Sequence, residues 1–134
     1  MNIEKTQDKI RELISEVAHV EDIAKRTEIQ ETISGYMVYL AEEEDKANRA
    51  FKSAYTKRKI DESHSIYESE ESVSKATASA AYLCREERQA ETKLEVEYEC
   101  LKIFRMVVFE HLDVMKQRTA ALRKEKSVNE YKSN

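Results

Sequence analysis

The residues best suited to chemistry are six bases in one short stretch: Lys46, Arg49, Lys52, Lys57, Arg58 and Lys59, with no acid among them. Phe51 and Tyr55 lie between them, four apart, and so share a helix face. Bases neutralise phosphates, and rings offer surfaces on which nucleobases stack. Together they are what binding of a single strand requires. The same ring spacing also suits a helix seam. The run is flanked by acids, Glu42–Asp45 before it and the five acids of 61–71 after it, so a solvated charge block is the competing reading. A second basic group, Lys116, Arg118, Arg123, Lys124 and Lys126, faces only Glu125. It reads either as a helix C-terminus complementing the macrodipole or as a second anion patch.

Catalytic constellations do not emerge. His19, His64 and His111 are scattered, and the chain has neither HExxH nor CxxC, P-loop nor GxGxxG. The two copies of Glu-xx-His that a di-iron bundle needs are not present. His111 reads as a polar member of a helix seam. Cys84 and Cys100 are sixteen apart, roughly 24 Å along one helix, beyond disulfide reach. They read as reduced thiols of a cytosolic protein. No catalytic residue, metal ligand or cofactor is expected, and the chain is read as a non-enzyme.

The elements that position these residues are helical. The chain has 134 residues, 37% of them charged and 40% apolar, with one Gly and no Pro. That composition predicts an all-α domain of long helices. The stretch from Ser72 to Ser127 carries apolar residues at helical spacing, including Val73, Ala76, Ala80, Leu83, Leu94, Leu101, Val108, Leu112, Met115 and Leu122. A helix of that length is roughly 80 Å long and needs a partner.

In chain order, the pattern predicts a first helix over 3–26, with Asn2 as its cap and a break over 18–22 left open. A second helix with a basic end is expected over 28–60, a connecting segment over 61–72, a long third helix over 73–126 and a frayed tail over 127–134. Gly35, inside the second helix, reads as a close approach, a kink or a helix boundary. The segment from Leu101 to Phe109 is apolar nearly all round. One hairpin cannot cover it, so Leu101, Phe104, Val108, Leu112 and Met115 are expected to form an oligomer interface. The expected fold is a long helical hairpin with an N-terminal helix, assembled into an oligomeric bundle or ring. No secretory leader and no run of eighteen apolar residues is found, which predicts a cytoplasmic protein without membrane association.

The segment Leu112-Asp113-Val114-Met115-Lys116-Gln117-Arg118-Thr119-Ala120-Ala121-Leu122-Arg123 resembles the end of UvsY-type phage recombination mediators. Those carry Leu-Asp, two apolar residues, Lys, a small polar residue and Arg, then Ala, an aliphatic and a base. Arg49-Ala50, followed by Tyr55 and Arg58, resembles an earlier base-Ala, Tyr and Arg pattern of that family. Lys57 stands where the family has Gly, and Phe51 where it has a second base. The resemblance implies a small helical phage protein acting in the bacterial cytoplasm. It implies rings of several subunits that bind single-stranded DNA and engage a RecA-like recombinase and the single-strand-binding protein. Arg49, Lys52, Tyr55, Lys57, Arg58 and Lys59 would then form the DNA contact, with Lys116 and Arg118 as a second contribution. Weak patches repeated around a ring gain avidity, roughly 10²–10⁴-fold for linked sites. The reading from another class is a coiled-coil scaffold or adaptor with no nucleic-acid role, its charge blocks setting partner register.

Overall fold

The computed structural model describes residues 2–133, which are all-helical: α1 (Ile3–Val17), α2 (Ile23–Glu68), α3 (Val73–Leu83) and α4 (Arg85–Ser133). Asn2 starts α1 as its residue type suggests. Its Oδ1 accepts from the Lys5 amide at 3.1 Å, and Thr6 Oγ1 donates to its carbonyl at 2.8 Å. Thr6, Ile10 and Val17 form the buried stripe of the helix.

The first helix stops at Val17 instead of running to 26, and the chain turns over 18–22. No Gly or Pro marks the stop. Arg26 accounts for it from the first turns of α2. Its Nη1 donates to the carbonyls of Val17 and Val20 at 2.8 and 2.9 Å, satisfying groups that a helix end leaves open. Its Nε donates to Thr119 Oγ1 at 3.0 Å, and Nη2 donates to the Met115 carbonyl at 3.3 Å. One buried guanidinium thus ties α1, α2 and α4 together. Burial, and secondarily the nearby charge of Arg118, lower its pKa.

The second helix extends beyond the expected 28–60 at both ends. The acidic stretch after Ile60 is helical, supported by pairs four apart: Arg58 with Glu62 at 3.4 Å and His64 with Glu68 at 3.3 Å. The connection shrinks to 69–72. Ser69 Oγ accepts from the Glu71 amide at 3.1 Å, and Ser72 caps α3 by accepting from the Lys75 amide at 3.5 Å. The expected third helix is interrupted once, at Cys84, whose φ of −97° and ψ of 15° leave the helical range. It then continues through the segment expected to fray, up to Ser133. Gly35 lies inside α2, where an added Cβ would meet nothing within 4 Å, so it marks neither a close approach nor a boundary.

The chain divides into two compact units, one formed by the chain up to Glu43 and from Ile103 onward, the other by Glu44–Lys102. The first has a core of Ile10, Val17, Ile29, Ile33, Met37, Leu40, Val108, Leu112 and Met115. The second is thinner. Ala76, Ala80, Cys84 and Leu101 are buried there, with Glu91 as a buried charge. No helix among the described residues is long and apolar enough to cross a membrane.

Candidate nucleic-acid interface

The basic run lies on α2 within the second unit, where antiparallel α4 faces it through ion pairs. Arg58 is the centre of that contact. Its Nε and Nη2 donate to the two carboxylate oxygens of Glu91 at 2.7 and 3.0 Å, and Nη1 reaches Glu62 at 3.4 Å. Glu62 in turn accepts from Nε and Nη2 of Arg88. The bidentate fork suits guanidinium and carboxylate geometry. Hydrogen bonding to Glu91 raises the Arg58 pKa further, while Arg58 pulls Glu91 down and Arg88 pulls Glu62 down. Glu87 behaves oppositely. Burial, and then a hydrogen bond with Asp61, push its carboxyl up. Cys84 is buried beside these acids, and burial first, then Glu87, push its thiol up.

These contacts divide the five bases from Arg49 to Lys59 by role. Arg58 spends its donors inside the fold, so it is a structural ion-pair residue and not an open phosphate contact. Arg49 is exposed but pairs with Asp45 one turn earlier. Lys52, Lys57 and Lys59 are exposed. Lys52, Tyr55 and Lys59 are three and four residues apart, which puts them on one face of α2. The half-exposed Tyr55 ring has the Lys59 ammonium at 5.5 Å and the Arg58 guanidinium at 5.2 Å. Lys57 leaves that face and its charge acts on Glu87. The open site is therefore narrower than the expected one: two lysines and a ring on one face, with Arg49 a turn before.

Lys116 and Arg118 lie in the other unit. Both are exposed, and Arg118 Nη1 is 3.7 Å from Glu125. That unit also holds an open cleft of about 1450 Å³, whose rim sets the acids Glu21, Asp22, Glu125 and Glu130 against the bases Arg123 and Lys126. Acids outnumber bases in this lining, so it does not suit a phosphate. No group of His, Cys, Asp and Glu among the described residues could hold a metal ion.

No family model, no curated protein and no solved structure matches this chain.

The residues expected to join subunits are used differently. Leu101, Val108, Leu112 and Met115 are buried by the chain itself, and Phe104 is half-buried with the Arg11 guanidinium 5.1 Å from its ring. In the first unit, α1 and the start of α2 supply the cover that a lone hairpin lacks. Leu101, Val108, Leu112 and Met115 are thus core side chains within one copy, and Phe104 keeps part of its surface open. Glu62, Arg88 and Glu91 do not stand out in the sequence, because acids and bases are both common in this chain. The four-residue spacing of Arg58 and Glu62 was the available signal.

Proposed function

We propose that this chain is a non-enzymatic protein that binds single-stranded DNA as an oligomer and acts as a recombination mediator. In this reading it helps a RecA-like recombinase replace the single-strand-binding protein, in the cytoplasm of a phage-infected bacterium. The observation that carries the DNA contact is the exposed face of Lys52, Tyr55 and Lys59, which joins two exposed cations to an accessible ring. That chemistry suits a flexible strand whose phosphates and bases are both accessible. The sequence likeness over 112–123 supports the mediator role, and an assembly in a ring would repeat a face that is weak in one copy.

A scaffold or adaptor without nucleic acid is the second reading. It is favoured by Arg49 and Arg58, which meet acids of the same chain. Fluorescence anisotropy of a labelled single-stranded oligonucleotide, titrated at low and at moderate salt, separates the two. The mediator reading expects binding without sequence preference that weakens steeply with salt. Absence of binding at low salt overturns it and leaves the scaffold.

A further inference from the structure

The second unit is thin where α3 meets α4. The side chains buried along that part are Ala76, Ala80 and Cys84, all small, while Tyr82 and Leu83 beside them are 66% and 68% exposed. Little apolar surface leaves water there, and regions of that kind open locally before the whole fold does. Cys84 also interrupts the helix, with only backbone bonds to bridge the break. Its amide donates to the Ala80 carbonyl and its carbonyl accepts from the Arg88 amide, both at 3.0 Å.

The side chain that meets α2 at this junction is an acid. Glu87, three residues after Cys84, shares a hydrogen bond with Asp61 of α2. Neither carboxylate can donate, so the bond exists only while one of the two holds a proton. Glu87 Oε2 is enclosed, and no donor among the described residues reaches it.

The neighbouring charges do not replace that proton. From α2, Glu62 adds a like charge to the pair, and the exposed Lys57 an opposite one. On α4, Arg88 gives its donors to Glu62, and Glu91 is held by Arg58. Arg85 lies over the exposed Tyr82 ring at 4.2 Å, and Glu86 is exposed. α3 carries one charged side chain, Lys75, which is exposed. The Cys84 thiol is kept neutral by its burial and then by the same acids. Removing the proton thus sets two like charges against each other at a contact with little apolar cover.

We propose that Asp61 and Glu87 form a proton-controlled latch: with one proton between them they hold the α3–α4 junction on α2 and keep Cys84 covered, and without it the junction lifts and Cys84 meets solvent. The closed junction holds the proton more tightly than the open one. Closure is therefore complete in acid and is lost as pH rises from the ordinary carboxylate value to that of the closed pair.

The two cysteines report the latch in one experiment. Cys84 is buried and Cys100 is exposed, and trypsin releases them on separate peptides. The full chain is alkylated with iodoacetamide from about pH 4.5 to about pH 7.5, below the ordinary thiol pKa of roughly 8.5. Both thiols react as thiolates, so a fixed structure gives a constant ratio of their rates over this range. The latch predicts that the ratio of Cys84 to Cys100 rises with pH, by up to about tenfold per pH unit, and then levels. Glu87→Gln, whose amide donates to Asp61 at every pH, should hold the ratio low and flat with an unchanged circular dichroism spectrum. Asp61→Asn should reduce the rise, since its amide donates to the Glu87 carboxylate without a proton. A wild-type ratio that does not change with pH overturns the inference. So does either variant that keeps the full wild-type rise, which would place the titration in another group. Since no DNA is present, these outcomes are independent of the proposed DNA contact.

Discussion

Arg58 and Glu91, thirty-three residues apart, meet through two hydrogen bonds of 2.7 and 3.0 Å, with both side chains about nine-tenths withdrawn from solvent. The pair crosses from α2 to α4 in a unit whose apolar core is small. It decides what the basic run can do, because one of its two arginines is committed to holding two helices together. The remaining cations reach solvent from a helix whose position that pair fixes.

Arg58→Ala should therefore act on stability before binding. It leaves Glu91 buried without its partner, which costs about 2–3 kcal/mol for charged hydrogen bonds of this kind. Urea denaturation should show the loss. Glu91→Gln should be milder, since an amide oxygen still accepts from the guanidinium. A stability unchanged by Arg58→Ala would mean that the pair contributes nothing net.

Acid should weaken the same unit through Glu62 and Glu91. Their pKa values are lowered in the fold, so the unfolded chain binds protons more readily. Their stabilisation is present above the ordinary carboxylate value and is lost as pH falls through the lowered folded values. Glu87 has the opposite sign. Its raised pKa means that stability declines as pH rises from the ordinary value through the folded one. Glu87→Gln should then raise the melting temperature at neutral pH and leave it little changed in acid. Melting curves across pH for wild type and variant check both signs.

How far the sequence was readable follows from what kind of contact made each feature. The helical class was open to view because 3.6-residue spacing and a lack of Gly and Pro are local properties. Asn2 as a cap was visible for the same reason. The end of α1 was not, since it depends on Arg26 reaching carbonyls and Thr119 from another helix. Cys84 interrupts α3 and α4 with no residue that announces a break. The segment Leu101 to Phe109 is apolar nearly all round in sequence, and the buried and exposed sides of Val107 and Val108 cannot be told apart there. Only the fold shows that Val108 is covered by its own chain while Val107 is exposed. Likewise, the charge of Arg58 was legible and its partner in α4 was not.

Thr119 offers a test of the Arg26 cluster. Its hydroxyl accepts from Arg26 at 3.0 Å and from Gln30 at 2.7 Å, and donates to the Met115 carbonyl at 2.8 Å. Thr119→Val keeps the shape and removes all three bonds, leaving a buried cationic N–H without an acceptor. The expected loss is about 1–3 kcal/mol in chemical denaturation. Thr119→Ser, which keeps the hydroxyl, should recover most of it.

Gly35 should tolerate, and gain from, a side chain. It lies in the interior of α2 without positive φ, and an added Cβ meets nothing within 4 Å. Alanine loses less backbone freedom on folding, so Gly35→Ala should stabilise the chain by about 1 kcal/mol. A raised denaturation midpoint with an unchanged slope is the expected result. Destabilisation would show that this position needs the glycine for packing beyond one copy.

The lysines and the ring of the candidate DNA face should fail in different ways when replaced. Lys52→Gln with Lys59→Gln removes two cations, so the dependence of affinity on salt should flatten, by about 0.7 for each phosphate of a single strand that is no longer neutralised. Tyr55→Ala should weaken binding at every salt concentration with the slope intact, by about 1–3 kcal/mol if one base stacks there. Tyr55→Phe should keep most of that stacking, since the ring remains. Folding does not depend on burying these residues: both lysines are exposed and the ring is half-exposed. Loss of binding can therefore be assigned to the face itself when circular dichroism is unchanged. If Lys52→Gln, Tyr55→Ala and Lys59→Gln combined leave both affinity and slope as they were, Lys52, Tyr55 and Lys59 are not the DNA contact.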